Sequence, residues 1–399
     1  MAAPRSRVSV LILNCRGKAM FEKTVGFIRE IFQGKTFIPL HEPRFTGREK
    51  QYLLECIDST FVSSVGPFVD RFEEMTAAYT GSASAVVCVN GTAALHIALM
   101  QVGAGAGDEV ITQPLTFIAT TNAITYTGAV PLFIDIDPET LGLSPDSLRE
   151  FLEEHGETRD DGFTYNRGTG RRIRACVPVH TFGHPARITE ISRICREYNL
   201  ALVEDAAESM GTTFRGRHTG TFGDYGTLSF NGNKIITTGG GGMVLTGDAA
   251  AGRRIKHLTT QAKVSHRWAF FHDETGYNYR MPNINAALGV AQLETLDRYV
   301  ANKRGLANAY REFFRGTDFE FFNEPDEAFS NYWLNVLIMP DETERDRFLA
   351  YTNDHGIQTR PAWTLMHRLP MFRECPRGNL AHAEWLEARI VNIPSSVTP

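Results

Sequence analysis

The sequence lacks any long apolar run. A helix that spans a membrane needs roughly 20 consecutive apolar residues, whereas the apolar run near the start of this 399-residue chain covers only Val8 to Leu13. That run follows a basic beginning, as in a signal peptide, but it is too short and no small-residue cleavage site follows it. No membrane partner is therefore expected, and residues 1–19 are interpreted as a disordered or mis-started extension.

The sequence also lacks an excess of basic over acidic residues. The chain has 41 Lys and Arg residues against 46 Asp and Glu residues, which gives a net charge of −5. Binding to a phosphate backbone requires a broad basic field. A nucleic acid partner is therefore not expected.

Common metal-binding and nucleotide-binding patterns are absent from the sequence as well. The six cysteines form no CxxC pair and no Cys/His cluster at zinc spacing. Scattered cysteines are typical of reduced thiols in a cytoplasmic protein, and no metal site is predicted. The glycine run 239–242 has neither the GK[ST] ending of a P-loop nor the GxGxxG order of a dinucleotide-binding fold.

What the sequence does contain is a repeated alternation of strand and helix patterns. Short apolar segments separated by helix-like stretches stand at 85–91, 108–114, 129–137, 173–180 and 200–207, and residues 160–173 have the polarity of a hairpin or loop. This alternation predicts an α/β fold with a large, mostly parallel, doubly wound sheet.

The second half of the chain has a different pattern. Short strands with glycine-rich turns follow residue 222, and the helical stretch 283–314 fits one bent helix or two. The tail combines a strand-like segment with a helix around 343–355, as in a small α+β domain. The predicted organisation is an N-terminal extension (1–36) with an amphipathic helical rhythm over 20–35, a large α/β domain (37–282), and a connecting helix with a small C-terminal α+β domain (283–399).

Polar residues that directly follow predicted strands are candidates for ligand binding, because ligands of open α/β sheets lie beyond the carboxyl ends of the strands. Gly91 and Thr92 open a helix straight after a strand, which favours either an anion such as phosphate or a plain capped helix start. Asp205 and Glu208 follow another strand. A carboxylate in that place acts as a general base, a metal ligand or the partner of a protonated ring nitrogen, or it caps a turn.

Two more features, at Phe117 and at Lys234, complete the set of candidate ligand-binding residues. Phe117 comes shortly after the turn proline Pro114, and its ring belongs either to the core or to a stacking surface for a flat ligand. Lys234 follows Ser229 in an apolar strand-turn-strand context, where an amine is turned outward or has a specific partner. A helix-start phosphate site, an aromatic ring, a strand-end aspartate and an isolated lysine, in that order, are the parts needed to hold pyridoxal phosphate.

At these positions the sequence resembles the pyridoxal-phosphate (PLP) sugar aminotransferases of the DegT/StrS type. The resemblance covers nearly the whole chain from Phe37. It rests on seven segments in order: FVSSVGPFVDRFEEMTAAYTG, NGTAALHIAL, PLTFIATTNAI, PVHTFGHPA, VEDAAESMG, GDYGTLSFNGNKIITTGGGG and GYNYRMPNINAALGVAQL. It implies the aspartate-aminotransferase fold, PLP-transferase type I, with a large sheet domain and a small C-terminal α+β domain.

The resemblance also implies roles for individual residues. Lys234 attaches the cofactor through its amine and then moves a proton to and from the substrate carbon, Asp205 pairs with the ring nitrogen, and Phe117 stacks on the ring. Glu208 stands where many relatives have glutamine or histidine near the ring hydroxyl. The other implied contacts are Gly91, Thr92, Ala93 and Ser229 to the phosphate, Asn278 to the phosphate of a neighbouring subunit in a homodimer, and Ser64, His180, Asn231 and Arg280 to the sugar.

Within the family, the motifs look most like the subgroup named for the legionaminic acid pathway. Its members aminate C4 of a UDP-linked 4-keto-6-deoxy-N-acetylhexosamine with L-glutamate as donor. GDP-perosamine-type amination and amination at C3 are alternatives. A PLP-dependent sugar dehydratase, which has histidine in place of the lysine, and a non-enzymatic sugar-nucleotide binding protein are more distant ones. Arg360, with Trp363 and His367, is expected either to contact the nucleotide diphosphate or to dock the small domain.

Overall fold

The computed structural model describes residues 7–398, and it describes side chains for residues 19–398. The first six residues of the predicted extension lie outside this range. No helix in the described range combines the length and the apolar character that a membrane crossing requires.

Helices and strands alternate along most of the chain. The α-helices are α1 Arg7–Ile31, α2 Glu49–Asp58, α3 Pro67–Thr80, α4 Gly91–Gln101, α5 Ala119–Tyr126, α6 Pro145–His155, α7 Ile188–Glu197, α8 Ala249–Thr259, α9 Asn283–Leu293, α10 Leu296–Phe314, α11 Glu342–Asp354 and α12 Ala381–Glu387. The strands are β1 Ser84–Cys88, β2 Asp108–Thr112, β3 Val130–Phe133, β4 Gly156–Thr158, β5 Thr164–Asn166, β6 Arg172–Val177, β7 Ala201–Asp205, β8 Thr213–Phe214, β9 Arg217–His218, β10 Tyr225–Ser229, β11 Gly242–Thr246, β12 Lys263–Val264, β13 Phe271–His272, β14 Glu320–Phe321, β15 Ala328–Phe329, β16 Asn335–Ile338, β17 Arg360–Pro361 and β18 Ile390–Ile393.

The main sheet has the strand order β1-β11-β10-β7-β6-β2-β3. Strands β10, β7, β6, β2 and β3 are parallel to one another, whereas β11 is antiparallel to both β1 and β10. The five strands predicted from the sequence are β1, β2, β3, β6 and β7, so the predicted α/β fold with a mostly parallel sheet is confirmed. The stretch 160–173, predicted as a polar hairpin or loop, contains β5, which pairs with β4 before this stretch and with the start of β6 at its end.

Helices cover both faces of this sheet. Val86 and Val87 of β1 point to opposite faces and both are buried, as are Val110 and Ile111 of β2. Continuous apolar strands of this kind are typical of a sheet that is covered on both sides. Helices α4, α5 and α8 pack on one face, and α3 and α9 on the other.

A second sheet lies in the C-terminal part, with the order β14-β16-β18-β17 and antiparallel pairing throughout. The helical stretch 283–314 is divided into α9 and α10, which is one of the two forms predicted. A strand and a helix, β16 and α11, stand where the strand-like segment and the tail helix were predicted.

The N-terminal helix α1 packs against this C-terminal part. Phe21 and Ile28 of α1 share a core with Tyr310 of α10 and Phe348 of α11. The amphipathic rhythm of the N-terminal segment therefore matches a real buried face. Because α1 begins at Arg7, residues 7–19 are helical, which differs from the disordered form of the predicted extension and does not bear on its alternative, a mis-started extension.

Candidate active site

A cavity of about 330 Å³ opens at the carboxyl ends of β7 and β10, where ligands of parallel sheets bind. Most of the predicted cofactor residues meet at its wall. The lining includes Gly91, Thr92, Phe117, Thr120, Asp205, Glu208, Ser229, Asn231, Asn233, Lys234, Trp333 and Trp363.

Lys234 lies in the turn between β10 and β11, and its side chain is only 12% exposed. The turn is closed by a hydrogen bond from the Lys234 amide to the Asn231 carbonyl, 3.0 Å, and by one from Asn231 Nδ2 to Asn233 Oδ1, 3.0 Å. Nζ of Lys234 lies 3.5 Å from Glu208 Oε1 and 3.9 Å from the centroid of the Trp333 ring. The turn therefore directs the lysine into the cavity. There its amine has the partners that a buried amine needs.

Close backbone contacts at glycines join the start of α4 to the ends of the strands. A Cβ atom on Gly242 would lie 2.3 Å from the Asn90 carbonyl oxygen, so only glycine fits there. A Cβ atom on Gly91 would lie 3.0 Å from Ser229 Cβ. The N-terminus of α4 therefore rests against Ser229 at the cavity wall, where the helix dipole favours an anion.

Ala93 is the exception among the predicted phosphate contacts. Its amide donates a hydrogen bond of 2.8 Å to Asn90 Oδ1, which is the N-cap of α4. Ala93 is also buried and does not line the cavity. Of the residues predicted to contact the phosphate, Gly91, Thr92 and Ser229 line the cavity, whereas the Ala93 amide is already paired with the N-cap.

Asp205 ends β7 as a buried carboxylate with a fixed orientation. The Thr120 hydroxyl donates to Oδ2 at 2.8 Å, and the Ala207 amide donates to Oδ1 at 3.1 Å. Burial raises the pKa of Asp205 above its ordinary value, while these two hydrogen bonds oppose the rise. Since a carboxylate oxygen accepts more than one hydrogen bond, Asp205 still offers an acceptor to an N–H group in the cavity.

Glu208 is held beside the lysine by a strained backbone. Phe182 has φ of 57°, which a bulky residue rarely adopts, and its amide donates to Glu208 Oε2 at 2.8 Å. Burial raises the pKa of Glu208 to about 7, although the Lys234 charge and the Phe182 hydrogen bond both lower it. Glu208 therefore titrates near neutral pH, next to the amine.

Aromatic rings form one side of the cavity. Phe117 is 53% exposed, so it is not a core residue, and its ring meets the Trp363 ring at a centroid distance of 6.4 Å. Trp363 stacks on Phe182 at 4.9 Å. The indole N–H of Trp333 donates to the Asn233 carbonyl at 2.7 Å. The exposed Phe117 ring is thus available to a flat ligand.

Two residues predicted to contact the sugar are directed elsewhere. His180 is fully buried, with Nε2 3.0 Å from Glu204 Oε2 and Nδ1 accepting a hydrogen bond from the Ala186 amide. Arg280 is buried in an ion pair with Glu73, 2.8 Å. Both residues have partners inside the fold and neither lines the cavity, so the structure places neither of these predicted sugar contacts beside Lys234.

The remaining residues predicted to bind the substrate or the cofactor do not all lie at the Lys234 cavity. Asn231 lines the cavity, whereas Ser64 and the exposed Asn278 lie outside the cavity of their own chain. Arg360 lines a neighbouring cavity.

Sequence reasoning missed two residues that orient the site. Thr120 lies one helical turn after Phe117, and that spacing is the signal by which it could have been found. Trp333 approaches Lys234 from a distant part of the chain, and no local pattern predicts the contact.

Comparisons with known proteins agree with this arrangement. The model of the DegT/DnrJ/EryC1/StrS aminotransferase family matches residues 43–398. GDP-perosamine synthase from Escherichia coli O157:H7 is 38% identical over 359 residues, which are 90% of this chain and 93% of that protein. The crystal structure of the aminotransferase TlmJ from Streptoalloteichus hindustanus is 27% identical, with a TM-score of 0.81 over 90% of this chain and 93% of that one. Spr1654 from Streptococcus pneumoniae in its PLP form has the same fold, with 20% identity and a TM-score of 0.80 over 90% of this chain and 93% of that one.

The residues present fit pyridoxal phosphate. An inward lysine amine, a buried carboxylate, an exposed aromatic ring and a helix start surround one cavity. The glycine contacts at the start of α4 keep its backbone free of side chains where a phosphate would bind. The chain therefore belongs to the DegT/DnrJ/EryC1/StrS aminotransferase family and is a sugar aminotransferase that uses pyridoxal phosphate.

Proposed function

We propose that the protein aminates C4 of a nucleotide-linked 4-keto-6-deoxy sugar, with L-glutamate as the amino donor. The observation that carries the proposal is the Lys234 amine, which is directed into the cavity 3.5 Å from Glu208 Oε1. A lysine at this position favours amino transfer over dehydration. The presence of both Lys234 and Asp205 also argues against a binding protein without activity.

The preferred substrate is UDP-linked 4-keto-6-deoxy-N-acetylglucosamine, in a pathway of the legionaminic acid or bacillosamine type. The support is the set of motifs that the chain shares with the legionaminic subgroup. A GDP-linked keto sugar is the second candidate, because a relative with 38% identity is named GDP-perosamine synthase.

When bound, pyridoxal phosphate supplies an aldehyde that takes up the amino group and a ring that withdraws electrons. The residues of the chain bind, orient and move protons around it. Asp205 would accept a hydrogen bond from the ring nitrogen and keep it protonated, and Phe117 would cover one face of the ring. Lys234 would hold the cofactor and move a proton at the reacting carbon, since a neutral amine is both a nucleophile and a base.

The proposed active unit is a homodimer with shared sites. Asn278 is exposed and lies outside the cavity of its own chain, which suits a phosphate contact in the partner's site. Nearby residues 268–271 expose three large aromatic rings, those of Trp268, Phe270 and Phe271, and an exposed apolar surface of this kind favours association. The five cysteines with described side chains are free, which supports a cytoplasmic location.

A substrate screen tests the proposal. The protein is supplied with L-glutamate, pyridoxal phosphate and a panel of UDP- and GDP-linked 4-keto and 3-keto sugars, and the products are identified by mass spectrometry. Amination of the UDP-linked 4-keto-6-deoxy sugar is expected. Amination of only the GDP-linked sugar would favour the second candidate, release of a deoxygenated sugar without nitrogen would favour dehydration, and binding without turnover would favour a binding protein.

A further inference from the structure

A second cavity, of about 460 Å³, adjoins the Lys234 cavity and shares three lining residues with it. Its lining combines the N-terminal segment with the C-terminal sheet, and it includes His41, Arg360 and Asn392. None of the lining residues is acidic. A substrate whose reacting carbon lies at Lys234 can therefore place another part of itself in this second cavity.

Arg360 is a free cation on this wall. It lies directly opposite Asn392 in the antiparallel pair of β17 and β18, so the two side chains share one face of the sheet. Arg360 is exposed, and its guanidinium group has no hydrogen bond or ion pair to another described residue. The side chain is therefore available to a ligand.

Buried nitrogen atoms without partners lie beside Arg360. Both ring nitrogens of His41 and Nδ2 of Asn392 are closed to solvent and have no hydrogen-bond partner among the described residues, and Asn392 as a whole is only 3% exposed. Leaving such a group unpaired opposes folding, and few native proteins keep many of them. Three such atoms around one cavity point to a ligand that binds there.

The chemistry of the wall selects an oxygen-rich anion. Burial, with the charges of Lys303 and Lys234, holds the pKa of His41 well below its ordinary value, so the imidazole is neutral and offers one N–H. A guanidinium group, a carboxamide NH₂ and this N–H are all donors. The last side-chain torsions of His and Asn are soft, so small rotations would bring their nitrogens to the cavity.

We infer that the second cavity is an oxyanion subsite in which Arg360, Asn392 and His41 bind a phosphate or carboxylate group of a substrate that reacts at Lys234. This inference rests on the proposed function. Two groups have this chemistry: the diphosphate of the nucleotide sugar and a carboxylate of L-glutamate. Both substrates must reach the same amine, one after the other, so the test uses a separate probe for each.

The test is calorimetric titration of the PLP-loaded full chain with inorganic pyrophosphate and, separately, with glutarate, which has both carboxylates of glutamate but no amine. The variants are Arg360→Ala and Asn392→Leu. Arg373→Ala is the matched control, because Arg373 is an exposed arginine of the same C-terminal segment that does not line the cavity.

We expect pyrophosphate to bind the unmodified protein and its Kd to rise about tenfold or more in both variants, as for the loss of a hydrogen bond to a charged group, with no change in the control. The same pattern with glutarate alone would assign the subsite to the amino donor. Asn392→Leu should also raise Tm, because it replaces an unpaired amide with an apolar group of similar shape. A role of Asn392 in stability alone would not weaken probe binding.

The inference is overturned if neither probe binds the unmodified protein, or if both variants bind the probes as tightly as the control does. Failure of the proposed function gives a different result. In that case the probes bind through Arg360 and Asn392, but none of the keto sugars of the panel is aminated.

Discussion

Two buried carboxylates on opposite sides of β7 differ in how many hydrogen bonds they already accept. Glu204 and Asp205 are neighbours in the strand, so their side chains point to opposite faces of the sheet. Glu204 accepts hydrogen bonds from three backbone amides within residues 220–223 and lies 3.0 Å from His180 Nε2. Among the described residues, Asp205 accepts two hydrogen bonds, and it lines the cavity.

The difference separates a structural acid from one that is suited to chemistry. The hydrogen bonds of Glu204 hold the 220–223 turn and His180 against the sheet, so its loss would affect folding. Asp205 and Glu208 have fewer partners, and they face the Lys234 amine and the cavity. In a buried site, an acceptor that is not saturated is available to a ligand.

The largest effect is expected on the cavity side, for Lys234→Ala. The variant should lose the visible absorbance band of the bound cofactor, and amination should fall on the order of 10²- to 10⁴-fold or more, the usual contribution of a positioned proton-transfer group. Absorbance before and after borohydride reduction measures the attachment. Lys50→Ala, which changes an exposed lysine away from the cavity, is the control. A variant Lys234→Ala that still traps the cofactor with borohydride would contradict the assignment.

Glu204→Ala tests the structural role of Glu204. It leaves backbone amides of the 220–223 turn unpaired inside the fold, so unfolding in urea should show a loss of about 3 to 5 kcal/mol. Glu197→Ala, which breaks a surface ion pair with Arg149, should cost only about 0 to 1 kcal/mol. Equal losses in the two variants would show that saturation with hydrogen bonds does not distinguish Glu204.

Glu208→Gln should change how stability depends on pH. The pKa of Glu208 is raised from 4.5 to about 7 by burial, so its contribution favours the folded state below pH 4.5 and is lost as the pH rises through 7. In the cofactor-free protein, the variant should therefore be more stable than the original at pH 8, by at most about 3 kcal/mol. At pH 4.5 the two should be nearly equal. Urea unfolding at both values measures the difference, and a constant difference would rule out the raised pKa.

The smallest effect on stability is expected for Arg360, and Arg280 is the buried arginine with which it is compared. Arg360 has no partner within the described residues, so Arg360→Ala should change stability by less than about 0.5 kcal/mol. We expect it to raise KM for the sugar nucleotide and to leave KM for glutamate nearly unchanged. Arg280→Ala breaks the buried pair with Glu73 and should do the reverse. An unchanged KM for Arg360→Ala would favour docking of the C-terminal part instead.

The sequence by itself determined the order of the elements and the residue types of the site. Periodicity and turn residues predict β1, β2, β3, β6 and β7, because burial on both faces requires continuous apolar strands. Position after a strand identifies Asp205 and the start of α4 at Gly91, because the carboxyl ends of parallel strands meet at one edge. The sequence also singles out Lys234, because a buried amine in an apolar segment needs a partner.

Only the tertiary structure decided which polar groups remain free. The side chains of His180 and Arg280 and the Ala93 amide are polar groups of kinds that bind ligands. Each of them already has a partner within the fold. The contact of Trp333 with Lys234 depends on the C-terminal part packing on the main sheet. Hydrogen-bond partners and burial are set by segments far apart in the chain, so local sequence patterns do not determine them.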